Sequence, residues 1–149
     1  MFLLLYPLLG AGVGPALKTI SKKKMRCKNK QVFLNYHQHA KHPAMVELLW
    51  WLEGRVELIL TSAYRKRPIH AKDSGIHAII PIRAVDIRSW IFKNPHKIEK
   101  SINDIWIYDP KRPNLKCCVL HDSGHGVHCH IQVHNNTVRR YLKEGFNDV

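Results

Sequence analysis

Two stretches of this chain carry side chains able to hold a metal. "SGIHAIIPIRAVDIRSW", residues 74–90, places His77 and Asp86 nine positions apart around an apolar run. Further on, "GHGVHCHIQVH", residues 124–134, carries His128, His130 and His134. Along a β-strand, residues two apart point to the same face, so His128 and His130 stand side by side and Cys129 faces away. Two imidazole nitrogens and one carboxylate oxygen, with one corner left open, are the ligand pattern of a catalytic rather than a structural zinc. A lone histidine is more often a surface or hydrogen-bonded residue than a ligand. The ordered combination of His77, Asp86 and an H-x-H pair, each on or beside an apolar segment, is what favours a metal here.

Those segments need positioning by neighbouring elements. From Pro43, the apolar residues Met45, Leu48, Leu49 and Leu52 recur at helical spacing, with Pro43 suited to a first turn and Gly54 to a stop. The β-branched and aliphatic run in "RVELILTSAYR" predicts a strand from Val56 to about Ser62. "KRPIHAKDSG" reads as a loop and "RAVDIRSW" as a second strand, with His77 at its mouth. Asn94 suits an N-cap and Pro95 a first helical position, with Ile98, Ile102 and Ile105 marking one face of the helix that follows. "CCVLHD" and "VHCHIQVH" predict a hairpin joined by "SGHG". Asn136 is expected to cap a last helix, "TVRRYLKEG", stopped by Gly145. Helices and strands alternate without a βαβ rhythm. The expected fold class is therefore α+β, with helices packed on a mostly antiparallel sheet.

Composition narrows the function further. The chain has 149 residues, enough for one core, and its 45% hydrophobic content excludes wholesale disorder. A formal charge of +13 implies attraction to polyanions without choosing among nucleic acid, anionic lipid and cell-wall polymer. The four cysteines, Cys27, Cys117, Cys118 and Cys129, show no C-x-x-C spacing, which excludes a zinc site built from cysteine pairs and predicts reduced thiols. Residues 1–17 are apolar and are followed by seven Lys or Arg between Lys18 and Lys30. A secretory signal carries its charge before the apolar core, not after it. The segment suits a non-structural extension, which translation starting at Met25 would remove, or else a membrane anchor or a cleaved signal. The expected organisation is an extension over 1–30 and a single domain over 31–149. Membrane contact, if any, is expected only through residues 1–17.

The order of the elements and motifs carries a resemblance. A helix, a strand ending "TSAYR", a loop, His77 followed by "AVDIR", a helix and a terminal H-x-H strand resemble the zinc D-Ala-D-Ala carboxypeptidase and L-alanyl-D-glutamate endopeptidase group, whose architecture the hedgehog signalling domains share. The likeness covers about Pro43 to His134 and is strongest toward small phage-encoded members. In that group the strand motif runs S-x-H-x-x-G-x-A-x-D after S-G-Y-R. Here the matching residues are Ser62, Tyr64, Arg65, His77, Ala84 and Asp86, with eight residues between His77 and Asp86 where the motif has six. A two-residue bulge would restore the geometry.

The resemblance implies that His77, Asp86 and His130 hold Zn²⁺ and that Arg65 faces the cleft, binding a substrate carboxylate or a developing oxyanion. An ordinary solvated loop residue is the competing reading for Arg65. Many relatives place an acidic base where this chain has Val127, and His128 is the substitute. His121 and Asp122 could orient a ligand; turn chemistry explains Asp122 equally well. His37, His39 and His42 are expected to face solvent, and of Trp50 and Trp51 one is expected in the core. The implied function is zinc-dependent hydrolysis of a DD- or LD-type amide in peptidoglycan stem peptides by a monomer. If phage-encoded, it would sit in the host cytoplasm before lysis; with residues 1–17 as anchor or signal, it would be membrane-associated or exported. The competing readings are a non-catalytic metal-binding or structural protein on the same scaffold, and a nucleic-acid-binding protein acting through its basic tail. No specific nucleic-acid partner is expected.

Overall fold

The computed structural model describes residues 24–67, 74–122, 124, 126–141 of the chain. The expectations placed on residues 1–17 and on the segment beyond Tyr141 lie outside these. The chain order is β1 (Arg26–Cys27), α1 (Lys30–His37), α2 (Pro43–Glu53), β2 (Ile59–Ser62), a 3-10 turn (Ile76–Ala78), β3 (Ala84–Arg88), α3 (Pro95–Ile105), β4 (Trp106–Ile107), β5 (Cys118–Asp122), β6 (Val127–Gln132) and β7 (Val138–Arg139). The fold is α+β, with three α-helices among the described residues and a mostly antiparallel sheet in the order β1-β2-β3-β6-β5. Among the described strands of this sheet, only β1, on β2, is parallel.

Local sequence explains most of the elements. Asn94 caps α3 by accepting a hydrogen bond from the Lys97 amide, and Pro95 opens the helix where no amide donor is needed. His42 caps α2 the same way, its Nδ1 accepting from Ala44 N at 3.3 Å, so this histidine has a structural task. His37 is exposed as expected, while His39 is half-buried against the Tyr64 ring. Strand alternation separates two faces of the sheet. Val85 and Ile87 of β3 and Cys129 and Ile131 of β6 join the core with Met45, Leu48 and Leu52 of α2 and Ile102 of α3. Trp51 is in that core at 4% exposure and Trp50 is 71% exposed. All four cysteines are free, and burial pushes the Cys117 thiol up to about 12, so it is inert.

Three expectations change. Residues 26–30, assigned to the extension, enter the fold: Arg26 and Lys28 donate to the carbonyls of Leu58 and Leu60, and α1 starts at Lys30. The strand expected from Val56 starts at Ile59, because the Arg55 and Val56 amides still bond back to Leu52. "TVRRY", the described part of the expected last helix, is not helical. Val138–Arg139 pairs with Trp106–Ile107, where the chain leaving α3 presents an unpaired backbone edge. Thr137 fixes that return by accepting from His134 N and donating to the Tyr108 carbonyl.

Candidate metal centre

The sheet face turned away from the core carries Asp86 and Arg88 on β3 and His128 and His130 on β6. Register sets these residues opposite one another, Asp86 against His130 and Arg88 against His128. Ser62 of β2 flanks Asp86 on its other side, next to a shift in register between Leu60 and Ser62. His77 comes from outside the sheet. Gly75, at φ 72°, turns the chain through a left-handed conformation that a side chain disfavours, and the 3-10 turn that follows buries His77 to 4% exposure. His77 is thus in a 3-10 turn, not at a strand mouth. Its carbonyl accepts from Arg65 N at 3.0 Å.

The long segment between His77 and Asp86 does not displace either residue. Its length loops outward, with Ile79 and Ile80 at 41% and 51% exposure. Ile82 then returns to the core, held by Ala40 and His42 main-chain bonds.

His77, Asp86 and His130 converge into one group able to hold an ion. His77 Nε2 stands 3.3 Å from Asp86 Oδ1 and 3.3 Å from His130 Nδ1, and His130 Nδ1 is 2.8 Å from Asp86 Oδ1. Ligand atoms bonded at about 2.0–2.1 Å to a tetrahedral zinc are about 3.3 Å from one another. Two of the three spacings already match. The third is a hydrogen bond in which His130 Nδ1–H donates to the carboxylate, and the tautomer protonated on Nε2 instead frees that nitrogen for a metal.

Backbone carbonyls fix the tautomers. His77 Nδ1 lies 2.9 Å from the Ala63 carbonyl, which can only accept, so Nδ1 bears a proton and Nε2 is the atom turned toward Asp86. His128 repeats the device: Nδ1 donates to the Gly126 carbonyl at 3.1 Å and Nε2 lies 3.7 Å from Asp86 Oδ1. Two imidazole Nε2 atoms therefore face a carboxylate oxygen, and each can carry a proton to it or give its lone pair to a metal. A carboxylate removed from water costs several kcal/mol, on the order of 3 or more, without such compensation. Burial pushes the Asp86 carboxyl up, but hydrogen bonds and charge from His130 and His77 outweigh it and hold the group well below the usual carboxylate range. It is an anion at neutral pH, as a metal ligand must be.

Arg65 lines a cleft of about 620 Å³ that opens beside Asp86 and His128. His121 is exposed, its ring 4.6 Å from that of His128; burial first, then the neighbouring imidazoles His128 and His130, hold its pKa below the usual value. Asp122 is a turn residue, its Oδ1 accepting from the amides of Gly124 and Gly126. Holding Gly126 N, it also steadies the residue whose carbonyl orients His128. His134 lies apart from the centre, against Tyr108 and Asp109. The residue types did not reveal the orienting carbonyls of Ala63 and Gly126, because every residue has one. Arg88 was legible in principle: it is two residues past Asp86 and so on the same strand face. Among known proteins, no family model, curated sequence or solved structure matches this chain.

Proposed function

We propose that this protein is a zinc-dependent peptidase that hydrolyses an amide bond in peptidoglycan stem peptides. The observation that carries the reading is the convergence of His77 Nε2, Asp86 Oδ1 and His130 Nδ1 at near-tetrahedral spacing beside an open cleft. The donor set of two nitrogens and one oxygen, without sulfur, suits a catalytic zinc with an open corner. When bound there, zinc supplies Lewis acidity toward a carbonyl and lowers the pKa of a coordinated water to about 7.

The chain's own residues do the rest. His128 Nε2, turned toward Asp86, accepts the proton of the attacking water and returns it to the departing amine. The Gly126 carbonyl keeps its ring in the required tautomer throughout. The Ala63 carbonyl does the same for His77 and raises its basicity as a ligand. Arg65, on the cleft wall, neutralises negative charge developing on the substrate. The choice of peptidoglycan peptides rests on the motif likeness of Ser62, Tyr64, Arg65, His77, Ala84, Asp86 and the H-x-H pair, and on the net positive charge, which favours approach to an anionic wall.

One observation favours a non-catalytic metal-binding role on this scaffold: Val127 lines the cleft where an acidic base stands in many relatives, and Asp86 is the only carboxylate among the described lining residues. A single experiment separates the two readings. Purified protein should carry about one zinc per chain and release stem-peptide fragments from cell walls, and His130→Ala should lose both. Zinc binding without release of any fragment by the wild type selects the non-catalytic role. Lytic activity that survives His130→Ala rejects the site.

A further inference from the structure

The cleft beside the metal centre has a charge pattern that the hydrolytic machinery does not use. Beyond the ligand Asp86 and the base His128, its charged lining is Lys28, Arg65 and Arg88. Arg88 is two residues past Asp86 on the same face of β3, about 6.5 Å along the strand. Its guanidinium lies over the Trp90 ring, 4.7 Å from the centroid, and Trp90 is 73% exposed. Between them Ser89 is buried and its hydroxyl donates to the Val127 carbonyl at 2.6 Å, which locks the end of β3 to the start of β6. The Arg88–Trp90 pair is therefore a flat cationic shelf on a rigid support. Lys28 reaches the same cleft from the turn between β1 and α1, where its amide is tied to the Leu60 carbonyl.

Four cations elsewhere have carboxylate partners: Arg26 with Glu57, Lys100 with Asp104, Arg112 with Asp109 and Arg139 with Glu47. Among the described residues neither Lys28 nor Arg88 has one. Three cations line the cleft against the single carboxylate of Asp86, and a bound anion relieves the repulsion that this surplus creates. A guanidinium stacked on an indole keeps its N–H edges free for bidentate bonding to a carboxylate.

We infer that Lys28 and Arg88, the latter held by Trp90, form an anion subsite that selects substrates bearing a carboxylate about one residue from the scissile amide. The inference rests on the peptidase reading for the position of that amide, not for the anion preference itself. A stem peptide offers two sources of this chemistry, the free glutamyl carboxylate and the C-terminal carboxylate, and amidation distinguishes them.

The test is calorimetric titration of the full chain with the stem pentapeptide Ala-γ-Glu-Lys-Ala-Ala in four forms: both carboxylates free, either one amidated, or both. Chelator in the buffer prevents turnover, so affinity is read apart from catalysis; parallel zinc-loaded samples report hydrolysis. The wild type should bind the free form about 10-fold or more tightly than the doubly amidated one, and one singly amidated form should lose that preference. Arg88→Gln should abolish the preference without changing affinity for the doubly amidated peptide. Arg88→Lys should keep part of it, and Trp90→Ala should weaken it. Equal binding of all four peptides by the wild type, or an undiminished preference in Arg88→Gln, overturns the subsite. A retained preference with no hydrolysis in the zinc-loaded sample supports the subsite and overturns the peptidase reading instead.

Discussion

Two buried aspartates with histidine neighbours occupy this fold, and they are built in opposite ways. Asp109 is surrounded by donors: Arg112 Nε at 2.7 Å, Lys111 N at 3.0 Å and Asn136 Nδ2 at 3.3 Å. Its histidine, His134, has Nδ1 accepting from Asn136 N, so it adds no proton to the carboxylate. Asp86 is surrounded by imidazoles: His130 Nδ1 donates to it, and two others turn Nε2 toward it because carbonyls hold their Nδ1 protons. Asp109 is a satisfied structural pin. Asp86 is an anion ringed by imidazole nitrogens that could share a metal with it. Burial does not separate the two; their neighbours do, fixed amide and guanidinium donors around Asp109 and imidazoles around Asp86.

The largest effects should come from the ligands. His77→Ala or Asp86→Ala should reduce zinc content from about one per chain to near zero and abolish turnover, read by metal analysis and peptide-release assay. Asp109→Asn should leave zinc content unchanged. A variant of Asp109 that loses zinc as completely as one of Asp86 would break the contrast.

His128→Gln comes next. It should retain zinc and lower kcat by about 10²–10⁴-fold, the usual contribution of a general base. Loss of the metal in this variant would move His128 into the ligand set.

Thermal unfolding with and without zinc sharpens the comparison. Zinc at about 100 times its dissociation constant should stabilise the wild type by about 2.7 kcal/mol. Asp109→Asn should start from a lower Tm yet keep that increment, whereas Asp86→Ala should show none.

The smallest effect is in pH. The Arg112 guanidinium first, then the Lys111 amide and Asn136, outweigh burial and hold the Asp109 carboxyl below its usual value. Its folded pKa is lower than its unfolded one, about 3.9, so its stabilising contribution is complete above that value and lost as pH falls through the folded one. The Tm difference between wild type and Asp109→Asn should therefore be constant near neutrality and shrink on acidification below about pH 4. A difference that grows on acidification would mean that Asp109 is not held as an anion.

Much of this was legible where the cause is local. Asn94 and Pro95 announced α3, Pro43 announced α2, and strand alternation placed His128 and His130 together while sending Cys129 to the core. What was not legible depends on distant backbone. Arg26–Cys27 is a strand only because β2 offers a free edge, and Val138–Arg139 is one only because β4 does. The outward loop at Ile79 and Ile80 follows from the return of Ile82 to the core, which no spacing rule contains. Main-chain carbonyls that choose a tautomer leave no trace in residue type at all. The Lys28–Arg88 pairing joins residues sixty positions apart across a sheet and needed the fold to appear.

X-ray absorption at the zinc edge of the loaded protein tests the centre most directly. The account requires two imidazole nitrogens and an oxygen shell at about 2.0–2.2 Å, four ligands in all, one of them solvent. A sulfur shell near about 2.3 Å, from Cys27, Cys117, Cys118 or Cys129, or the failure of the chain to bind zinc stoichiometrically, would contradict it.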